Sequence, residues 1–240
     1  MSKMSMPLRT VAATLCAAFV AAAVQFIATP AAQAAGPLVA VLPNYAGVCP
    51  GGLPKYTLYQ DNEDDNNENN RYGWIGGIKS DSNTRTYLCA VDGDRFISLR
   101  SYRVNFAVLA LGPTCPSGAI TFDRYVDDED NNPQSWSNVP AGSGTRSVGG
   151  NTYFRFCWFL NYATNAPNPP SSAFPYLGGE YGVFAPNTQS PALQWGWVYT
   201  DDEDNLNENW VSSMDGTLTY YRSQWLTVGP NTTLRMVRVR

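Results

Sequence analysis

One short acidic stretch occurs three times and limits how the rest of the chain can be arranged. Tyr59-Gln-Asp61-Asn-Glu63-Asp64-Asp65, Tyr125-Val-Asp127-Asp-Glu129-Asp130-Asn131 and Tyr199-Thr-Asp201-Asp-Glu203-Asp204-Asn205 share the pattern Tyr-x-Asp-x-Glu-Asp-[Asp/Asn]. Recurrence of this kind marks a supersecondary unit that buries its apolar face only by packing against its own copies. Each copy follows a β-like run (Tyr56–Tyr59, Ile120–Tyr125, Leu193–Tyr199). It is dense in carboxylate and amide oxygens, so it reads as a loop and not as core.

Lined up on these loops, the similarity spreads over repeats 38–102, 105–161 and 180–240. Cys49-Pro50 and Cys115-Pro116 stand equally far before Asp61 and Asp127, and Ser190-Pro191 stands one residue closer to Asp201. An Asn-Thr strand follows each loop, at Asn83-Thr84, Asn151-Thr152 and Asn231-Thr232. The third repeat has Ser190 and Val237 where the others have cysteines. Loss in pairs implies bonding in pairs, which selects Cys49–Cys89 and Cys115–Cys157 from the three connectivities open to four cysteines. Each such bond closes a loop worth roughly 4 kcal/mol in chain entropy.

Each repeat opens with an apolar strand (Leu38–Leu42, Phe106–Ala110, Tyr181–Phe184), and a third strand starts near Trp74, Trp136 or Trp210. Four strands per repeat predict about twelve in an all-β protein, because four alone bury too little surface. The expected body has pseudo-threefold symmetry of β-trefoil or β-prism type; three tandem modules are the alternative. Phe96–Tyr102 is expected as an added hairpin strand, 162–179 as a Pro-rich connector, and no helix is expected beyond the N-terminal region.

Residues 1–34 read as a secretory signal peptide: Lys3 and Arg9, the apolar run Val11–Ala28, then Ala32-Gln33-Ala34. Cys16 lacks the small residue before it that a lipid-attachment site wants. The remaining domain, 35–240, is expected to be extracellular, or periplasmic in a diderm bacterium, without membrane insertion. The chain has no His, which excludes His-based nucleophile triads and the usual zinc sites. With Asp and Glu exceeding Lys and Arg, nucleic acid is a poor partner.

Taken alternately, the loop residues offer one ligand set: Asp61, Glu63, Asp65, Asn67 and Asn69; Asp127, Glu129 and Asn131, then Pro133; Asp201, Glu203, Asn205, Asn207 and Asn209. The other register is broken by Leu206. Hard oxygen ligands at i, i+2 and i+4 suit calcium, although the Gly and final Glu of an EF-hand are missing. A divalent ion would relieve the carboxylate repulsion and so stabilise the fold. Threefold copying of the same acids fits binding better than catalysis, which needs one special pair in a cleft. Trp74, Trp136 and Trp210 beside the loops suggest stacking faces for a glycan or cell-surface polysaccharide. The expectation is therefore a non-enzymatic, calcium-stabilised, lectin-like protein. A structural or adhesive protein, or a carboxylate-based hydrolase or toxin, are the alternatives.

Overall fold

Alternation of apolar residues at period two is the dominant signal after residue 36, and it builds strands throughout. The computed structural model describes residues 36–62, 67–129, 133–202 and 207–240. The first repeat gives β1 (Leu38–Pro43), β2 (Lys55–Gln60), β3 (Asn70–Gly73), β4 (Ile78–Ser80) and β5 (Thr84–Asp92). The second gives β6 (Val104–Ala110), β7 (Ile120–Val126), β8 (Trp136–Ser137), β9 (Arg146–Val148) and β10 (Asn151–Asn161). The third gives β11 (Tyr181–Phe184), β12 (Gln194–Thr200), β13 (Trp210–Val211), β14 (Leu226–Val228) and β15 (Thr232–Val239). The protein is nearly all β, in one large antiparallel sheet.

Among the described residues the sheet has 15 strands, against the dozen or so expected. The extra ones, β4, β9 and β14, are short partners of β5, β10 and β15. Two helical segments are also corrections. Phe96–Tyr102, expected as a hairpin strand, falls for the most part in a 3-10 helical segment, Gly93–Ser101: Phe96 and Leu99, three apart, are both fully buried, and the Asp92 side chain accepts from Asp94 N. The α-helix α1 (Gly216–Ser223) starts at Asp215, whose side chain accepts from Leu218 N, the usual way to satisfy a free helical N–H.

β1, β6 and β11 pair with one another at the centre. β6 and β11 are buried along their whole length, so they read as continuous apolar runs. Alternate side chains divide between two cores. Ala40, Leu42, Ala107 and Leu109 face one, with Trp158 and Trp225; Val39, Val41, Phe106 and Val108 face the other. Cys89 and Cys157 lie in the second core and form the disulfides Cys49–Cys89 and Cys115–Cys157, as the repeat alignment predicts. Val237, buried in the same core, takes the place of the missing cysteine.

Outer strands join different repeats. β8 pairs with β2, setting Trp136 opposite Tyr59; β13 pairs with β7, setting Trp210 opposite Tyr125; β3 pairs with β12, setting Asn70 opposite Tyr199. The strand that follows each acidic stretch in sequence thus pairs with a strand from a different one of the three sequence spans. Among the described residues, no helix is long and apolar enough to cross a membrane.

Candidate functional site

Asp61, Asp127 and Asp201, at the start of the acidic stretches, are buried and hydrogen-bonded. Asp61 Oδ2 accepts from Gln134 N at 2.8 Å, Asp127 Oδ2 from Glu208 N at 2.7 Å, and Asp201 Oδ2 from Glu68 N at 2.6 Å. The amides of the same three aspartates donate to Ser135 Oγ, Asn209 Oδ1 and Asn69 Oδ1. These carboxylates therefore staple the outbound end of one loop to the inbound end of another, and charge-assisted bonds of this kind are the stronger class.

The Asn-Thr strands explain themselves at the same place. Asn83, Asn151 and Asn231 accept from the amides of Asn62, Asp128 and Asp202. Thr152 and Thr232 donate their hydroxyls to Asp128 Oδ2 at 2.6 Å and Asp202 Oδ2 at 2.7 Å. Asn62, Asp128 and Asp202 are all 0% exposed. Arg124, 2% exposed, stands where the other repeats have Leu58 and Val198, and its Nη2 lies 3.3 Å from Asp202 Oδ2. Burial pushes the Asp202 carboxyl up to about 7, against the opposing pull of Thr232 and Arg124. Burial also holds the Asp128 carboxyl well above its ordinary range, against bonds from Ser135 and Thr152, with the Asp202 charge adding to the rise.

Of the expected ligand set, Glu63, Asp65, Asn131, Glu203 and Asn205 lie outside the described residues. Asn67 donates to Ser82 O and accepts from Asn69 N; Asn207 does the same with Pro230 O and Asn209 N. Both hold turns. Glu129 is buried, and its amide donates to Asp61 O. Among the described residues, no group of three or more His, Cys, Asp or Glu converges as a metal cage.

The three expected tryptophans separate. Trp136 and Trp210 are partly exposed and stack on Tyr59 and Tyr125, each with ring centroids 6.1 Å apart. Trp74 is not their equivalent, because Asn70 occupies that register position opposite Tyr199. It is half-buried and donates Nε1 to Asn44 Oδ1.

Another exposed aromatic cluster lies on β12 and its neighbour, the edge strand β3. Along β12, Gly196, Val198 and Thr200 point inward, and Trp195, Trp197 and Tyr199 point outward. Tyr72 on β3 is 57% exposed, with ring centroids 5.4 Å from Trp195 and 6.3 Å from Trp197. Gly196 permits the approach, since a Cβ there would lie 2.4 Å from Tyr72 O and 2.2 Å from Trp74 O. On one side is a hollow of about 590 Å³ lined by Trp74, Leu193 and Gln194. On the other is one of about 500 Å³ lined by Glu68, Asn70, Tyr199 and Arg235. Sequence reasoning placed Trp195 and Trp197 on a strand but not on an open face; the signal was the alternation of aromatics with Gly196, Val198 and Thr200. Apolar ring faces bordered by carboxylate, amide and guanidinium groups can hold a ligand that presents both C–H faces and hydroxyls.

No curated protein and no solved structure matches the chain. The family described as Bacterial ApeC matches residues 7–167, a span that takes in the first two acidic stretches, both disulfides and β1 to β10. That span is more than half of the sequence, and the chain belongs to the bacterial ApeC family.

Proposed function

We propose that the protein is an exported, non-enzymatic glycan-binding protein that stacks a polysaccharide on the Tyr72–Trp195–Trp197 edge. The single observation that carries this reading is three aromatic rings held side by side on the outward face of β12 and of its neighbour, the edge strand β3, with polar side chains on their flank. Two disulfides fit an oxidising compartment, which supports export. The body is a pseudo-threefold assembly of β-prism character; the cyclic pairing of β8 with β2, β13 with β7 and β3 with β12 supports it. Calcium held by the acidic stretches, through Glu63, Asp65, Glu203 and Asn205 among others, stabilises the fold in this reading.

The test is a glycan array followed by affinity electrophoresis, with and without EDTA. Trp195→Ala with Trp197→Ala is expected to weaken polysaccharide binding at least about tenfold, consistent with the loss of two aromatic anchors. Calcium is expected to raise the melting temperature, and Glu63→Gln with Glu203→Gln to remove that rise. A second reading, a structural or adhesive protein whose acidic stretches serve stability alone, is favoured by the use of Asp61, Asp127 and Asp201 as staples. Calcium-dependent melting without retention on any glycan would select it.

A further inference from the structure

We propose that the ligand is an acidic polysaccharide, laid along one continuous track from the aromatic edge to a cleft at the far end of the sheet, with Arg235 and Arg103 reading its carboxylates. This rests on the glycan-binding reading and names the substrate class. The far cleft, about 470 Å³, lies where β6 begins and β10 ends, and it is lined by Arg103, Tyr162, Thr188, Gln189, Tyr221 and Gln224. Asp128 lies at the opposite end of β10, bonded to Thr152. At about 3.3 Å per residue the strand separates the two regions by roughly 25 Å.

The cleft is a built one. Asn105 forms its floor: Oδ1 accepts from the indoles of Trp158 and Trp225 at 2.9 and 3.2 Å, and Nδ2 donates to Tyr221 O and Gln224 Oε1. Gln189 Oε1 accepts from Asn105 N. Tyr162 and Tyr221 stack at 5.0 Å beside this floor. Rings of this kind, with amides held in fixed orientation, match a sugar face and its hydroxyls.

Shared walls make the track. Thr188 and Gln224 line both the far cleft and a middle hollow of about 520 Å³. Arg235 closes that hollow and also lines the one beside Trp197 and Tyr199. The charged side chains lining these three spaces are Arg103, Arg235 and Glu68, with no carboxylate in the far cleft or the middle hollow. The full sequence carries a net charge of −4, so the cationic track runs against the balance of the whole chain. A guanidinium fork matches a carboxylate in plane and bidentately, and Arg235 is already oriented by its bond to Gln224 O. Three adjoining hollows of small-molecule size suit successive residues of a polymer, whose weak contacts add.

The test measures binding of the full chain to polygalacturonate, alginate and hyaluronan, each beside its carboxyl-reduced, neutral counterpart. At least one native polymer is expected to bind more tightly than its reduced form, with the preference fading as salt rises. Arg103→Gln with Arg235→Gln is expected to erase a preference of about tenfold, the scale of one charge-assisted pair, with the melting temperature and neutral-polymer binding unchanged. Equal binding of native and reduced polymers, or a preference that survives the double variant, overturns the acidic ligand and leaves the glycan reading standing. Binding of no polymer in either form overturns both.

Discussion

Desolvation outweighs charge pairing at Asp202, whose carboxyl stays raised although Arg124 lies within contact. The unfolded chain releases this proton near 3.8, and the folded protein holds it to about 7. The folded state therefore binds more protons, and stability falls with rising pH across that interval. Asp128, raised in the same direction, adds to the trend. Thermal melts from pH 5 to pH 8 are expected to show a falling midpoint; a midpoint that rises would refute the assignment. Asp128→Asn is expected to reduce the slope, because Asn62 already occupies the matching buried place in the first repeat. Much of this was legible as pattern but not as role. The Asn-Thr strands were visible in sequence, but their bonds to the loop amides were not, since nothing in spacing tells which side chain faces a buried N–H. Trp195 and Trp197 were likewise placed on a strand while their exposure was missed, because which face of a sheet stays uncovered depends on packing that spacing does not show.

The long strands were readable because alternation is a strong signal over seven or more residues, as in β7 and β12. β4, β9 and β14 were missed since three or fewer residues carry no period. The helix α1 was missed because Gly216, Thr217 and Thr219 are weak helix formers, leaving the Asp215 cap as its only clear mark. The disulfides were legible through comparison of repeats, which supplied what spacing could not. Replacing Cys115 and Cys157 together by Ser is expected to lower unfolding free energy by about 2–4 kcal/mol, the usual range for a native bond closing a loop of this size. Denaturant titration measures it, and an unchanged midpoint would show that the second core holds β10 without the crosslink.

At the scale of the molecule, the exchanged strands bind the first third of the chain to the last. β3 finds its partner in β12, and β7 finds one of its partners in β13. The family match ends at residue 167, but a chain stopped there lacks β12 and β13 together with the Glu68 acceptor on Asp201. Such a truncation is expected to show no cooperative thermal transition and no near-ultraviolet dichroism. A sharp melt from it would show that the first two repeats close by themselves. The acidic stretches were legible as repeats; the exchange was not, because sequence similarity reveals copies without saying which copy receives which. Because ribosomes deliver residues from the N-terminus, the strand after the first acidic stretch waits through most of synthesis for its neighbour. Non-local pairing of this sort slows folding, and until the last repeat emerges β3 lacks the strand it pairs with, β12.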